Sequence, residues 1–508
     1  MRRNLGAVAA IVVGLAVVLG AVIVSAGRSR DPAVSANILV NPPGLITVNN
    51  SPSLARHPGR PDHLVISHRI DRPGFSALLE WSDDGGTSWH PTTLPLPAAV
   101  PPCAASPERL ACPFAPSAAF GPDGTLFVAY VSLQGAGNSP GALWVSTSAD
   151  GGRTLAPPVQ VAGALTFQPR LAVGADGTVH LTWLQAAGVG LNRLVGQAGI
   201  VTARSADGGA SFSPPVRVSD PERERVGAAS PVVDGSGELV VLYQDYKDDR
   251  RDFEGLEGPP VEGPFALVVT RSTDGGRSFS PGREVESGVV PTKRFLVFLP
   301  EFPSIAAGPE GSLQVAWYDG RNGDEDVFTR HSPDGGRTWT EAERVNDNPV
   351  GDGSDQYLPH VSVAPGGRVD VVFYDRRGDP ANVATDAYLA TSVDGQSPFS
   401  NLRLSSQSFD SRVGPTFGLE DYGADFGTRL GLDSTDDGAY ASWTDTRLGD
   451  ENTGRQDVFG AAVTGLGPPG IAGSAGLGAA VALALGVVVL AWFIVRRSTT
   501  RSKARSRP

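Results

Sequence analysis

Ser82-Asp83-Asp84-Gly85-Gly86-Thr87-Ser88-Trp89 is the stretch on which the reading of this chain turns. Its pattern, Ser-x-Asp-Gly-Gly-x-Ser/Thr and then an aromatic residue, returns at 205–212, 272–279 and 332–339. Residues 148–155 repeat it with Leu155 in the aromatic place, and 392–399 keep the frame but carry Gln396 where the second Gly belongs. The aspartates fall at Asp84, Asp150, Asp207, Asp274, Asp334 and Asp394, a period of roughly 60 residues that marks stacked repeat units. Asp-Gly-Gly makes a tight turn, because Gly takes the positive φ and the carboxylate accepts backbone N–H groups inside the turn. The six aspartates are read as structural, since copies on six units do not converge on one substrate.

The motif resembles the Asp-box, or BNR repeat, of the sialidase superfamily, and the resemblance implies a β-propeller. Each repeat reads as four strands. In the fifth, 303–306 is a first strand, 312–317 a second with period-two alternation, 326–331 a third, and 342–345 a fourth beyond the turn. Comparable hairpins recur at 120–130, 171–183, 232–243, 361–373 and 431–443, with a looser one at 53–68. That makes seven units, of which the last has no fourth strand after it. Asn37-Ile38-Leu39-Val40-Asn41 looks like Glu343-Arg344-Val345-Asn346-Asp347 and is placed to supply it, which would close the ring and remove its open edges. The expectation is an all-β, seven-bladed β-propeller over 36–465. The alternative is six blades, as in the sialidases, with a terminal unit degenerate.

The chain has 508 residues, and its 63 Gly and 42 Pro suit a turn-dense all-β protein. An apolar run at 5–26, between Arg2-Arg3 and Arg28, reads as a signal peptide or an uncleaved N-terminal anchor, giving a first segment of 1–30. A Gly/Pro linker at 466–474 leads to a second apolar stretch, 475–495, long enough to span a bilayer, and to a basic tail at 496–508. The positive-inside rule puts that tail in the cytoplasm and the ring on the extracellular side of the cell membrane. Ten basic residues lie in the flanks and all acidic residues lie between them, so the ring carries 32 basic against 54 acidic residues, a net charge of −22. Nucleic acid is excluded as a partner for so acidic a surface. Cys103 and Cys112, in a Pro-rich loop, are expected to form a disulfide that staples it.

A second, partial repeat carries the candidate site. Trp317-Tyr318-Asp319-Gly320-Arg321, Phe373-Tyr374-Asp375-Arg376-Arg377 and Trp443-Thr444-Asp445-Thr446-Arg447 occupy the loops after the second strands, and Asp245 with Lys247 is a fourth version. Two readings are open: each Asp braces its own Arg in a fork, or Arg321, Arg377 and Arg447 turn inward as an anion site. The sialidase resemblance implies three arginines on a substrate carboxylate, a Tyr nucleophile raised by a Glu, an Asp acid–base, and an early Phe/Tyr-Arg-Ile-Pro signature. The nearest string, Arg69-Ile70-Asp71-Arg72-Pro73, falls at the end of a second strand rather than on a first. Tyr422 with Glu420 and Asp421 is the candidate catalytic group. Acidic runs at Asp245, Asp248, Asp249, Asp252 and Glu254, and at Asp324, Glu325 and Asp326, would allow calcium but lack the spacing of a calcium loop, and are read as solvated charge with no cofactor. The repeat is shared by glycosidases and by sortilin receptors, which are not glycosidases. The functional expectation is therefore a ligand-binding module for a glycan or a cell-envelope protein, with an exo-sialidase or other glycoside hydrolase as the alternative.

Overall fold

The computed structural model describes residues 31–97, 112–134, 139–190, 193–247, 263–290, 302–396, 398–415 and 425–467. Residues Val34–Thr464 make one compact unit of seven antiparallel sheets in a ring. The first strands stand nearest the axis and pack against one another from blade to blade. They are Val48–Arg56, Pro113–Phe120, Thr166–Val173, Val226–Val233, Ser304–Ala307, Gln356–Val363 and Gly431–Ser434. Seven blades form rather than six because the looser first unit is a full sheet of its own, Val48–Arg56, Leu64–Arg72, Ser76–Ser82 and His90–Thr93. The core lies between sheets, where apolar residues of successive blades interdigitate, with Trp183, Trp443, Tyr130 and Phe373 among the largest fully buried side chains.

The last blade, Gly431–Ser434, Gly438–Asp445 and Asp457–Thr464, is completed by Ile38–Leu39, paired with Gly460 and Phe459. The likeness between Asn37–Asn41 and the fourth strand of blade five holds group by group. Val40 N donates to Val458 O as Val345 N does to Val327 O, both at 2.8 Å. Asn41 Oδ1 accepts from Val458 N at 2.7 Å and its Nδ2 donates to Asp457 Oδ1 at 3.0 Å. Asn346 repeats both bonds, to Val327 N and Asp326 Oδ1, at 2.9 and 2.6 Å.

The recurrent turns join third to fourth strands. Asp84 Oδ1 accepts from Thr87 N and Ser88 N at 3.0 and 2.9 Å, and its Oδ2 from the Ser88 hydroxyl at 2.6 Å. The Ser82 hydroxyl accepts from Gly86 N at 2.9 Å. At Asp207 the hydroxyl and N–H of Ser211, with Ser205, hold the carboxyl down to about 2. Gly86 has φ +88°, and a Cβ there would fall 2.2 Å from the ring of Tyr440 in blade seven, whose hydroxyl donates to Gly86 O at 3.1 Å. The turn thus ties its blade to the neighbour as well as reversing the chain.

The apolar segments 5–26 and 475–495 and the basic tail lie outside the described residues. Among the described residues no helix is long and apolar enough to cross a membrane. Cys112 is buried and not a free thiol, while Cys103 lies outside the described residues.

Removing the side chain of Asn41 leaves the buried Val458 N–H without its acceptor and Asp457 short of a donor. Asn41→Ala is expected to lower unfolding free energy by about 1–3 kcal/mol, read as a shift of the urea midpoint. An unchanged midpoint would show that closure does not depend on these bonds.

Candidate functional site

The loops that follow the second strands hold the repeated Asp–Arg pairs, and each pair closes on itself. Arg321 Nε lies 2.8 and 3.0 Å from the two oxygens of Asp319, and its guanidinium lies over Phe328 at 4.5 Å. Arg377 Nε donates to Asp375 Oδ2 at 2.8 Å, its Nη2 to Asn401 at 2.9 Å, and it lies over Tyr388 at 4.7 Å. Arg447 donates to Asp445 Oδ2 through Nε at 3.0 Å and Nη2 at 2.6 Å, reaches Asn37 at 3.0 Å, and lies over Phe459 at 4.4 Å. In all three the Arg spans outward over the third strand of its own blade, and no partner is common to two of them among the described residues. The Lys version departs from this: Asp245 is held by Arg223 and by Lys247 N, while the Lys247 ammonium donates to Ser287 O. Burial pushes the Asp375 and Asp445 carboxyls up, against the opposing pull of their arginines.

Of the candidate catalytic group, Tyr422, Glu420 and Asp421 lie outside the described residues, as do Asp248, Asp249, Asp252 and Glu254. The second acidic run departs from the expectation of solvated charge: Asp324, Glu325 and Asp326 are buried. Asp326 accepts from Arg344 Nε, Asn346 and Asn322 at 2.6–2.7 Å, and Asp324 from Gly353 N at 2.8 Å. The chain's crossover from blade five to blade six folds over these carboxylates and supplies the donors that make their burial tolerable. Among the described residues no group of three or more His, Cys, Asp or Glu is arranged to hold a metal ion.

The cleft lies elsewhere, at the mouth of the central axis. It measures about 490 Å³ including its open mouth. Its shape comes from a defect repeated on the first strands. In blades one, two, three, four and six the pairing of first to second strand slips between Asn50/Ser53, Phe114/Ser117, Phe167/Arg170, Gly227/Ser230 and Tyr357/His360. At each slip one non-glycine residue takes a positive φ: Ser51 57°, Ala115 50°, Gln168 58°, Ala228 51° and Leu358 54°. Such bulges bend a strand and re-aim its side chains, and strained backbone of this kind gathers at binding sites. Here Ser51, Ala115 and Gln168 line the cleft.

Three arginines converge there: Arg69 from the second strand of blade one, Arg170 from the first strand of blade three, and Arg429 ahead of the first strand of blade seven. Arg69 is buried and neutralised, donating to Asp71 Oδ2 at 2.8 Å and pairing with Asp425. Neither of the other two pairs with a carboxylate among the described residues. Arg170 lies 3.7 Å over the ring of Phe302, and its Nη2, sealed from solvent, has no hydrogen-bond partner. Arg429 is buried, donates through Nη2 to Pro116 O, and leaves Nε unpartnered. Burial and the charge of Arg69 push Arg429 down to about 9; burial and Arg429 push Arg170 well down. Burial, then Arg170 and Arg429, push the half-buried His360 down to about 4. Guanidinium groups keep their protons at neutral pH, so the site is a pocket of excess positive charge inside an acidic protein.

Arg170 and Arg429 escaped the sequence reading because the signal is positional. By strand register Arg170 occupies the place of Ser53, Ser117, Ser230 and Ser304 in four other blades, and His360 holds that place in blade six. Aligning the seven first strands residue by residue exposes Arg170 and His360, with Gly431 at the same place in blade seven. Arg69 was visible only as a misplaced string, and the structure brings it to the cleft.

No protein-family model matches the chain, and no curated protein matches it. Solved structures similar to it include a protein of unknown function from Dyadobacter fermentans, at 12% identity over 85% of this chain and 99% of that one, with a TM-score of 0.46. A Hadza microbial sialidase is similar at 16% identity over 78% and 73%, TM-score 0.42. A polysaccharide lyase acting as an ulvan lyase is similar at 10% identity over 83% and 95%, TM-score 0.47. At these identities and scores the likeness extends to architecture alone.

Asp445 is fully buried and accepts from both Arg447 and Trp443 Nε1, the latter at 3.1 Å. Asp445→Ala is expected to cost about 3–5 kcal/mol, because it strands a buried guanidinium, while binding at the central cleft by the remaining folded protein is unchanged. A wild-type melting temperature in this variant would remove the bracing role.

Proposed function

We propose that this propeller is a ligand-binding module that takes an anionic group of its ligand, a glycan or a cell-envelope protein, into the central cleft. One observation carries the reading: Arg170 and Arg429 line the cleft, each with a buried donor that has no partner, and neither pairs with a carboxylate among the described residues. A buried cation without a counter-ion costs several kcal/mol, and Arg69 beside them shows the local alternative, since it has two carboxylates of its own. An unmatched pair in the same wall supports a ligand that brings the missing charge. The rim arginines Arg321, Arg377 and Arg447 take no part, because their guanidinium groups are spent on Asp319, Asp375 and Asp445.

Arg170→Met with Arg429→Met keeps much of the side-chain volume and removes both charges. The double variant is expected to be more stable than the parent by about 1–3 kcal/mol in chloride. It should also lose a rise in melting temperature that acetate, exchanged for chloride at constant ionic strength, gives the parent. A parent protein indifferent to acetate would defeat the anion reading.

The remainder of the proposal concerns placement. The ring stands outside the cell between the two apolar segments, its 496–508 tail is cytoplasmic, and Cys103–Cys112 staples the loop of blade two. The charge asymmetry of the flanks and the oxidising compartment this implies support it. Trypsin added to intact cells should digest the ring and spare a tag placed after Pro508, and a thiol-reactive mass label should modify the ring only after reduction. Protection of the ring in intact cells would reverse the topology.

A further inference from the structure

Resting on the anion reading, we infer that the group bound between Arg170 and Arg429 is a carboxylate carried on an apolar body rather than on a sugar ring. Arg170 leaves its buried Nη2 without a hydrogen-bond partner and Arg429 its buried Nε, on two guanidinium groups that line one cleft. One donor from each of two planar cations suits the two oxygens of one carboxylate.

The rest of the wall decides what the carboxylate is attached to. Its uncharged polar side chains are already engaged. The Ser51 hydroxyl accepts from Thr428 N at 3.0 Å and donates to Asn50 Oδ1 at 3.0 Å. Gln168 Oε1 accepts from Ala228 N at 2.8 Å, bracing blade three against blade four. The Thr428 hydroxyl donates to Ser51 Oγ at 3.4 Å, and the rest of the wall is apolar, with Phe114, Phe167, Val131, Leu133 and Pro140 among its residues. A pyranose brings several hydroxyl groups, and each one buried here without a partner is penalised. Two of the aromatic rings on which a sugar could stack are covered on one face by a guanidinium group: Arg170 lies over Phe302 at 3.7 Å, and Arg69 over Phe114 at 5.5 Å. An aromatic or branched aliphatic group has the opposite balance, needing only apolar wall.

Two sources carry this chemistry, a polypeptide's C-terminal residue with an apolar side chain and a free aryl or acyl acid. The test is calorimetric titration of the full chain with four probes: N-acetyl-Ala-Phe, its C-terminal amide, 3-phenylpropionate and glucuronate. The two apolar acids are expected to bind about ten-fold or more tighter than glucuronate, the gain from burying one phenyl group. The amide should not bind, and the Arg170→Met, Arg429→Met double variant should lose binding of both acids. The acetylated dipeptide exceeding phenylpropionate assigns the polypeptide terminus; equal affinities assign free acids. Glucuronate binding as tightly as the apolar acids through the same arginines overturns this inference and leaves the anion reading standing. No binding by any carboxylate overturns both.

Discussion

The ring of seven twisted sheets is closed by a strand from the other end of the chain, which completes the last sheet. Here that rests on a few groups: the N–H of Val40 and the side chain of Asn41 on Val458 and Asp457. An unpaired third strand in blade seven would present a row of open N–H and C=O groups, and neighbouring blades would lose the wall they pack against. Because Asn41 copies the bonds of Asn346 in blade five, the terminal strand enters a place already built for a fourth strand.

The axis has a different problem. First strands of adjacent blades converge without pairing, so their facing backbone groups need partners. Side chains at the recurring inner positions supply them. Ser117 accepts from Leu171 N, Gln168 from Ala228 N, Ser304 from Val361 N, Ser362 from Ser434 N, and Ser51 from Thr428 N. Five bulges with positive φ aim these strands. In blades three and six the inner serine is replaced by Arg170 and His360, so the site is cut out of the same positions that hold the ring together. The cleft is a local exception to a structural rule, which is why its residues look unlike their counterparts.

Charge is sorted by the same geometry. An Asp two residues before an Arg closes a fork in blades five, six and seven, and that spacing was readable from the chain as one of two open possibilities. The structure shows the fork in each case, with the Arg lying over an aromatic residue of the third strand. The run Asp324-Glu325-Asp326 misled for a related reason. Three consecutive acids look solvated until a crossover that starts about twenty residues later folds Arg344, Asn346 and Gly353 onto them.

What the sequence determined by itself was whatever depends on short spacing. The Asp-Gly-Gly turns are closed by donors within four residues, the strands show in two-residue alternation, and the unit count and ring-closing strand follow from repetition. These interactions are local, so their geometry is written in residue order. Tertiary structure alone decided which titratable groups meet at the axis. Arg69, Arg170, His360 and Arg429 come from blades one, three, six and seven, and their meeting depends on the number of sheets, their twist and the bulges of the first strands. No spacing between residues so far apart encodes a distance; the closed ring does.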